Sequence, residues 1–239
     1  MLRISLFAAF GLLSVLLLTL TGDRAEAVGF VSISHRGPAV DAFWEFENPD
    51  GTVTFVSVLA GEQRFVVGRP PPQTLNQVFV DIATIDFGDP NDPFDDMIQA
   101  ISGFGDLEPS QLDIDLPNRS ATLDLTLPAL ECTFVPDIPP SDCDETTISV
   151  NLDWVAVADS LKIKDKFRDN AEDCRVRAHF KGNLAPAEAS GSISSGGVDH
   201  TLGMPSDFGT IVESARDQIV FIANSVQDCF GEPERLRAQ

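Results

Sequence analysis

Seven basic residues fall into two rows of alternating positions: Lys162, Lys164, Lys166 and Arg168, then Arg175, Arg177 and Lys181. Successive side chains of a strand point to opposite faces, so each row occupies one face, and a hairpin turning around residues 169–173 sets the two rows side by side. The chemistry open to such a stripe is anion binding, by an anionic glycan, a lipid headgroup or an acidic partner surface. The plain alternative is that acidic cross-strand neighbours neutralise the rows within the fold.

The opposite charge is concentrated elsewhere. Between Pro70 and Asn118 there is no Lys or Arg, and the densest acidic stretch runs through Asp86, Asp89, Asn91, Asp92, Asp95 and Asp96. Calcium takes about six to eight oxygens at short range, which makes these residues a candidate calcium loop. The EF-hand order is not met, because the sixth loop position lacks Gly and the twelfth lacks Glu. A solvated acidic loop is the simpler reading, and no other cofactor is expected.

Catalytic signatures are missing. Gly-x-Ser-x-Gly, His-Glu-x-x-His and the Gly-rich phosphate and dinucleotide loops do not occur. A Ser–His–Asp hydrolase rests only on His35, His179 and His200, each of which also reads as an ordinary strand or turn residue. Paired carboxylates suit a glycosidase, but in a chain this acidic they occur everywhere and select nothing. Zinc would need His and Cys at close spacing, and the three histidines are scattered with no Cys-x-x-Cys.

The basic rows require a β scaffold, and the remaining sequence carries its pattern. From Thr147 onward, Ile148, Val150, Leu152, Trp154 and Ala156 share one face while Thr147, Ser149, Asn151 and Asp153 share the other. Leu112, Ile114 and Leu116, the turn Pro117-Asn118-Arg119-Ser120, and Leu123, Leu125 and Leu127 predict a hairpin with one wet face. A second hairpin is predicted where residues 43–47 meet 52–58 across Asn48-Pro49-Asp50-Gly51. Further strands are expected at 30–35, 64–67, 78–87, 175–181, 187–194 and 198–202, with residues 69–73 an extended proline connector. Residues 93–102 are readable as a short helix. Residues 211–226 fit a helical stripe or two strands joined at 215–218, and the β-favouring 219–222 tips the choice to strands. The pattern is that of a sandwich or barrel, and an all-β, antiparallel β-sandwich-like domain is expected.

Residues 1–27 read as a cleaved signal peptide, with Arg3, an apolar run over 4–20 and the small-x-small site Ala25-Glu26-Ala27. The run is shorter than the roughly 20 apolar residues of a membrane span, and no later stretch is apolar for long enough to cross. The expected organisation is a β domain over 28–230 and a flexible tail over 231–239, in a secreted or extracytoplasmic protein. In that setting the four cysteines predict two disulfides. Four cysteines allow three pairings; the short loop favours Cys132 with Cys143, leaving Cys174 with Cys229. The net charge of −21 argues against nucleic acid, which needs a basic footprint.

The C-terminal half resembles a group of secreted bacterial β proteins in which three strand patterns follow one another. They are represented here by Ser149-Val150-Asn151-Leu152-Asp153-Trp154, Ala178-His179-Phe180-Lys181-Gly182 and Ala187-Glu188-Ala189-Ser190-Gly191-Ser192-Ile193-Ser194. The resemblance implies secretion and β architecture and carries over no catalytic residue. The combined expectation is an exported, non-enzymatic binding or surface-associated module. The alternatives are a secreted hydrolase with an atypical site and a calcium-stabilised extracellular structural protein.

Overall fold

Asn48 to Gly51 turn the chain between β1 (Val31–Glu47) and β2 (Val53–Val67), as the Pro-Asp-Gly sequence predicts. Gly51 takes φ +90° and donates its N–H to Asn48 O at 3.0 Å, while Thr52 donates both its N–H and its hydroxyl to Asp50 Oδ1. The Thr52 hydroxyl is the main reason the Asp50 carboxyl is held below its ordinary range. The computed structural model describes residues 31–67, 73–86, 97–134, 143–170 and 174–223.

The other strands are β3 (Gln73–Ile85), β4 (Met97–Asp106), β5 (Leu112–Asp115), β6 (Ser120–Thr133), β7 (Cys143–Ala156), β8 (Leu161–Asn170), β9 (Cys174–Ser195), β10 (Val198–Asp199) and β11 (Phe208–Ala223). Every ladder is antiparallel, and no helix occurs among the described residues. Strands β1, β2, β3, β4, β6, β7, β9 and β11 pair in that order, and β11 pairs back onto β1. The sheet is therefore closed, and its opposite arcs face each other across a core as the layers of a sandwich do. Shorter β5 lies on β6, whereas β8 and β10 lie on opposite sides of long β9.

Period-two alternation fills the interior. Val40, Ala42 and Trp44 of β1, Leu123, Leu125 and Leu127 of β6, and Ile148, Val150, Leu152 and Trp154 of β7 belong to one buried cluster. An eight-strand closure is about wide enough for side chains to fill, and here two fully buried tryptophans help to fill it. Each indole N–H has an acceptor: Trp44 donates to Met204 O at 2.9 Å and Trp154 to Asp41 O at 2.7 Å. Buried polar groups left without such partners are costly, so these bonds fix both rings.

Several expected elements are longer than their sequence signals. Residues 31–35 and 43–47 belong to one strand, as do 53–58 with 64–67 and 175–181 with 187–194. Gly37, at φ +94°, is absorbed as a bulge and does not end β1. The helix considered over 93–102 is replaced by strand β4, which pairs β3 from Gln77↔Asp106 to Ile85↔Met97. Its inward positions include Gly103 and Gly105, which erase the apolar alternation. A Cβ on Gly103 would meet Leu127 Cδ1 at 2.8 Å and Ile148 Cδ1 at 3.0 Å, so the glycine makes room for two core side chains. The turn considered at 215–218 is also corrected: β11 is continuous, with a bulge between Val212 and Ser214. That extra residue shifts the parity, which is why the apolar positions mimic a helical stripe. The strand expected at 198–202 shrinks to Val198–Asp199, followed by a turn.

Candidate anion-binding site

β8 and β9 bring the two basic rows together. Lys164 stands opposite Lys181, Arg168 opposite Arg177, Lys166 opposite His179, Lys162 opposite Asn183 and Asn170 opposite Arg175. Lys162, Lys164, Lys166, Arg168, Arg175, Arg177 and Lys181 are all exposed, and His179 is half-buried. Across the β8–β9 ladder these neighbours are cationic or neutral, and Lys181 has an interaction partner within the fold.

The sheet extends the stripe further than the sequence indicated. Arg216 of β11 stands opposite Arg36 of β1 and lies on the β9 side between Ala215↔Gly182 and Gln218↔His179, level with Lys181. A row Lys164, Lys181, Arg216, Arg36 thus crosses four neighbouring strands, with a step of about 4.8 Å per strand. Neither arginine was singled out from sequence. Arg36 is remote in the chain, and the bulge in β11 hides the alternation of Ser214, Arg216 and Gln218.

This face continues the core-facing side of the sheet. On β9 the inward Ala185, Ala187 and Ala189 share parity with Asn183, Lys181, His179, Arg177 and Arg175. Beyond Ala185 the same face changes from apolar to basic. Glu62 of β2 shares it at the far end, near Gly37. Asp165 lies on the opposite face of β8 and accepts the Lys166 N–H at 2.7 Å. Glu213, at the bulge, is engaged by the Ser160 hydroxyl and lies 3.8 Å from Arg119, which also pairs with Asp159 at 3.3 Å.

A cleft of about 470 Å³ opens where the row meets the bulge. Its lining combines Lys162, Lys164, Lys181 and Arg216 with Asn183, Ser214, Ile163, Gly182 and Ala215, and most of the lining surface is apolar. Gly182 shapes it: a Cβ there would fall 2.6 Å from Ser214 O, so only glycine lets the bulge press against β9.

The other candidates do not assemble a reaction centre. His200 Nε2 lies 2.8 Å from Ser195 Oγ, but Ser195 is only 6% exposed, and Asp199 Oδ1 accepts from the Thr201 N–H and hydroxyl. Burial is the main cause that lowers the His200 pKa, opposed by Asp199 and Glu131. His35 lies within β1, opposite Asp217 and Gln63, and not near a strand end. Asp86 is exposed after β3, whereas Asp89, Asn91, Asp92, Asp95 and Asp96 lie outside the described residues. Among the described residues no group of His, Cys, Asp and Glu is arranged to hold a metal. Cys132 and Cys143 form the expected disulfide between directly opposed positions of β6 and β7. Cys174 begins β9, and its proposed partner Cys229 lies outside the described residues, as do 1–27 and 231–239.

No protein-family model matches the chain, and no curated protein matches it. Among solved structures, it is similar to a Nitrosomonas europaea protein described as a candidate AttH, with 11% sequence identity and a TM-score of 0.28. The match covers 81% of this chain and 51% of that one, so this chain spans about half the length of its structural neighbour. No helix among the described residues is long and apolar enough to cross a membrane.

Proposed function

We propose that this protein is an exported, non-enzymatic binding module that takes an anionic ligand on the face formed by β8, β9, β11 and β1. The observation that carries the reading is the like-charge register. Arg168 against Arg177 places two exposed cations directly opposite one another, and directly opposed like charges destabilise a sheet. Lysines on β8 alone would be explained as protection of an exposed strand edge. That explanation does not reach Arg177, Lys181, Arg216 and Arg36, which lie on three further strands. Export rests on the signal pattern of residues 1–27 and is compatible with the disulfide.

The test is retention on an anionic matrix at about 0.1 M salt, where the Debye length is about 10 Å. Wild type is retained, and the Lys164→Glu/Arg177→Glu double reversal is not. The reversal leaves the circular dichroism spectrum unchanged, because exposed strand charges contribute little to stability. Equal retention of the two proteins would refute the reading.

A further inference from the structure

Strand β8 is a sheet edge, and among the described residues it pairs with β9 alone. It runs for 10 residues, longer than the about five or six of a typical strand, with neither a proline nor a bulge to blunt it. Asp165 shows which backbone groups face the open side. Its carboxylate accepts the Lys166 N–H at 2.7 Å, so that N–H points away from β9. In an antiparallel ladder the two directions alternate residue by residue. The N–H and C=O groups of Lys162, Lys164 and Arg168 therefore face the open edge as well, where they form a template for a further strand.

The side chains give this edge two unlike faces. Lys162, Lys164, Lys166 and Arg168 stand on one and are all exposed. Leu161, Ile163 and Phe167 stand on the other, where Leu161 is 54% and Phe167 52% exposed. Lysines on an edge commonly repel other strands, but large apolar groups left exposed on the reverse face work against that purpose. What the row of cations does exclude is self-pairing. A second copy of β8 laid against the first would set cations beside cations, and directly opposed like charges destabilise a sheet. A strand with acidic residues at every second position and apolar residues between them matches both faces, whichever direction it runs. We propose that the open edge of β8 takes up an extended, alternately acidic and apolar segment of a partner protein as a further strand of the sheet. The step rests on the anion-binding reading for its charge and goes beyond it in placing the ligand along the backbone edge, where neither Lys181 nor the cleft takes part. Asp165 occupies the Lys166 N–H, and the incoming strand displaces it.

Titration calorimetry of the exported chain at about 0.1 M salt tests this with three peptides. One alternates Glu with Val and matches β8 in length, one has the same composition with Glu and Val in pairs, and one is an oligoglutamate of the same charge. The alternating peptide should bind about tenfold more tightly than the other two, because it alone sets all its acids on one face. Its binding should slow amide exchange at Lys162, Lys164 and Arg168, whereas a ligand held by side chains alone leaves those amides exchanging. Phe167→Ser, an exchange at an exposed position, should weaken the alternating peptide and leave the oligoglutamate unchanged. Equal affinity for the three peptides, with the amides unprotected, overturns the edge inference and leaves the anion-binding reading standing. Protection of the same amides without peptide, together with a dimer in sedimentation, assigns the edge to a second copy and overturns the inference too. If none of the peptides binds, the edge inference falls, and loss of retention on the anionic matrix removes the anion-binding reading with it.

Discussion

Among the described residues, His200 and Asp81 are the two whose burial couples acidity to the fold, and they act in opposite directions. Burial lowers the His200 pKa below its unfolded value of about 6.5, so the folded chain favours the neutral ring that meets Ser195. Its contribution is complete above about pH 6.5 and is lost as the pH falls from there towards the lowered folded value. Unfolding by urea at a series of pH values should show that loss, and His200→Gln, which keeps a hydrogen-bonding group for Ser195, should flatten it. An identical slope in the variant would assign the loss to other groups. Asp81, on β3 between Ser57 and Ser102, is raised above the ordinary carboxylate range, mainly by burial, and a bond from Ser102 only partly opposes this. Its stability contribution is therefore present at acid pH and lost as the pH rises through the raised value. Asp81→Asn should raise the Tm at neutral pH and change little near pH 3; a lowered neutral Tm would contradict this. Much of the residue scale was legible in the sequence. The alternation of Lys162, Lys164, Lys166 and Arg168 states the face directly, because period two is a local property. Arg36 and Arg216 were not legible, because their place in the row depends on a register between strands far apart in the chain.

The elements show what local pattern does and does not determine. Both hairpin turns were readable because Pro-Asp-Gly and Pro-Asn-Arg-Ser carry their own conformational preferences. Strand β4 was hidden because glycines hold its inward positions, and only the packing of Leu127 and Ile148 against Gly103 explains them. The bulge of β11 disguised a strand as a helical stripe, yet that bulge forms one wall of the cleft. Gly182→Ala should therefore push β9 and β11 apart at Ser214, weaken anion binding and lower the Tm together, since the new Cβ would meet backbone and not a movable side-chain end. Unchanged binding would separate the cleft from the bulge. The Cys132–Cys143 bond ties the end of β6 to the start of β7 across a separation of 11 residues. Closing a loop of that order contributes about 3 kcal/mol in the chain-entropy account, so replacing both cysteines by Ala should lower unfolding stability by about that amount. The anion-binding face lies on other strands, so it should keep its affinity.

At the scale of the whole molecule, a basic face sits on a chain of net charge −21, and the two act over different distances. Nine of the sixteen Lys and Arg residues lie on that face: Lys162, Lys164, Lys166, Arg168, Arg175, Arg177, Lys181, Arg216 and Arg36. The rest of the surface is correspondingly more acidic than the net charge alone implies. At about 0.01 M salt the Debye length is about 30 Å, so an approaching polyanion feels the entire molecule and is repelled. At about 0.1 M it shortens to about 10 Å, the distant acidic residues are screened, and the local columns dominate. At 1 M it is about 3 Å and the columns are screened too. Affinity for a short polyanion such as an oligoglutamate should therefore pass through a maximum at intermediate salt, where a uniformly basic protein would show a steady decline from the lowest salt upward. Calorimetric titrations at these three salt concentrations decide the matter. A monotonic fall would mean that the acidic surface does not reach the site, and that charge segregation sets the affinity less than the geometry of the hairpin does.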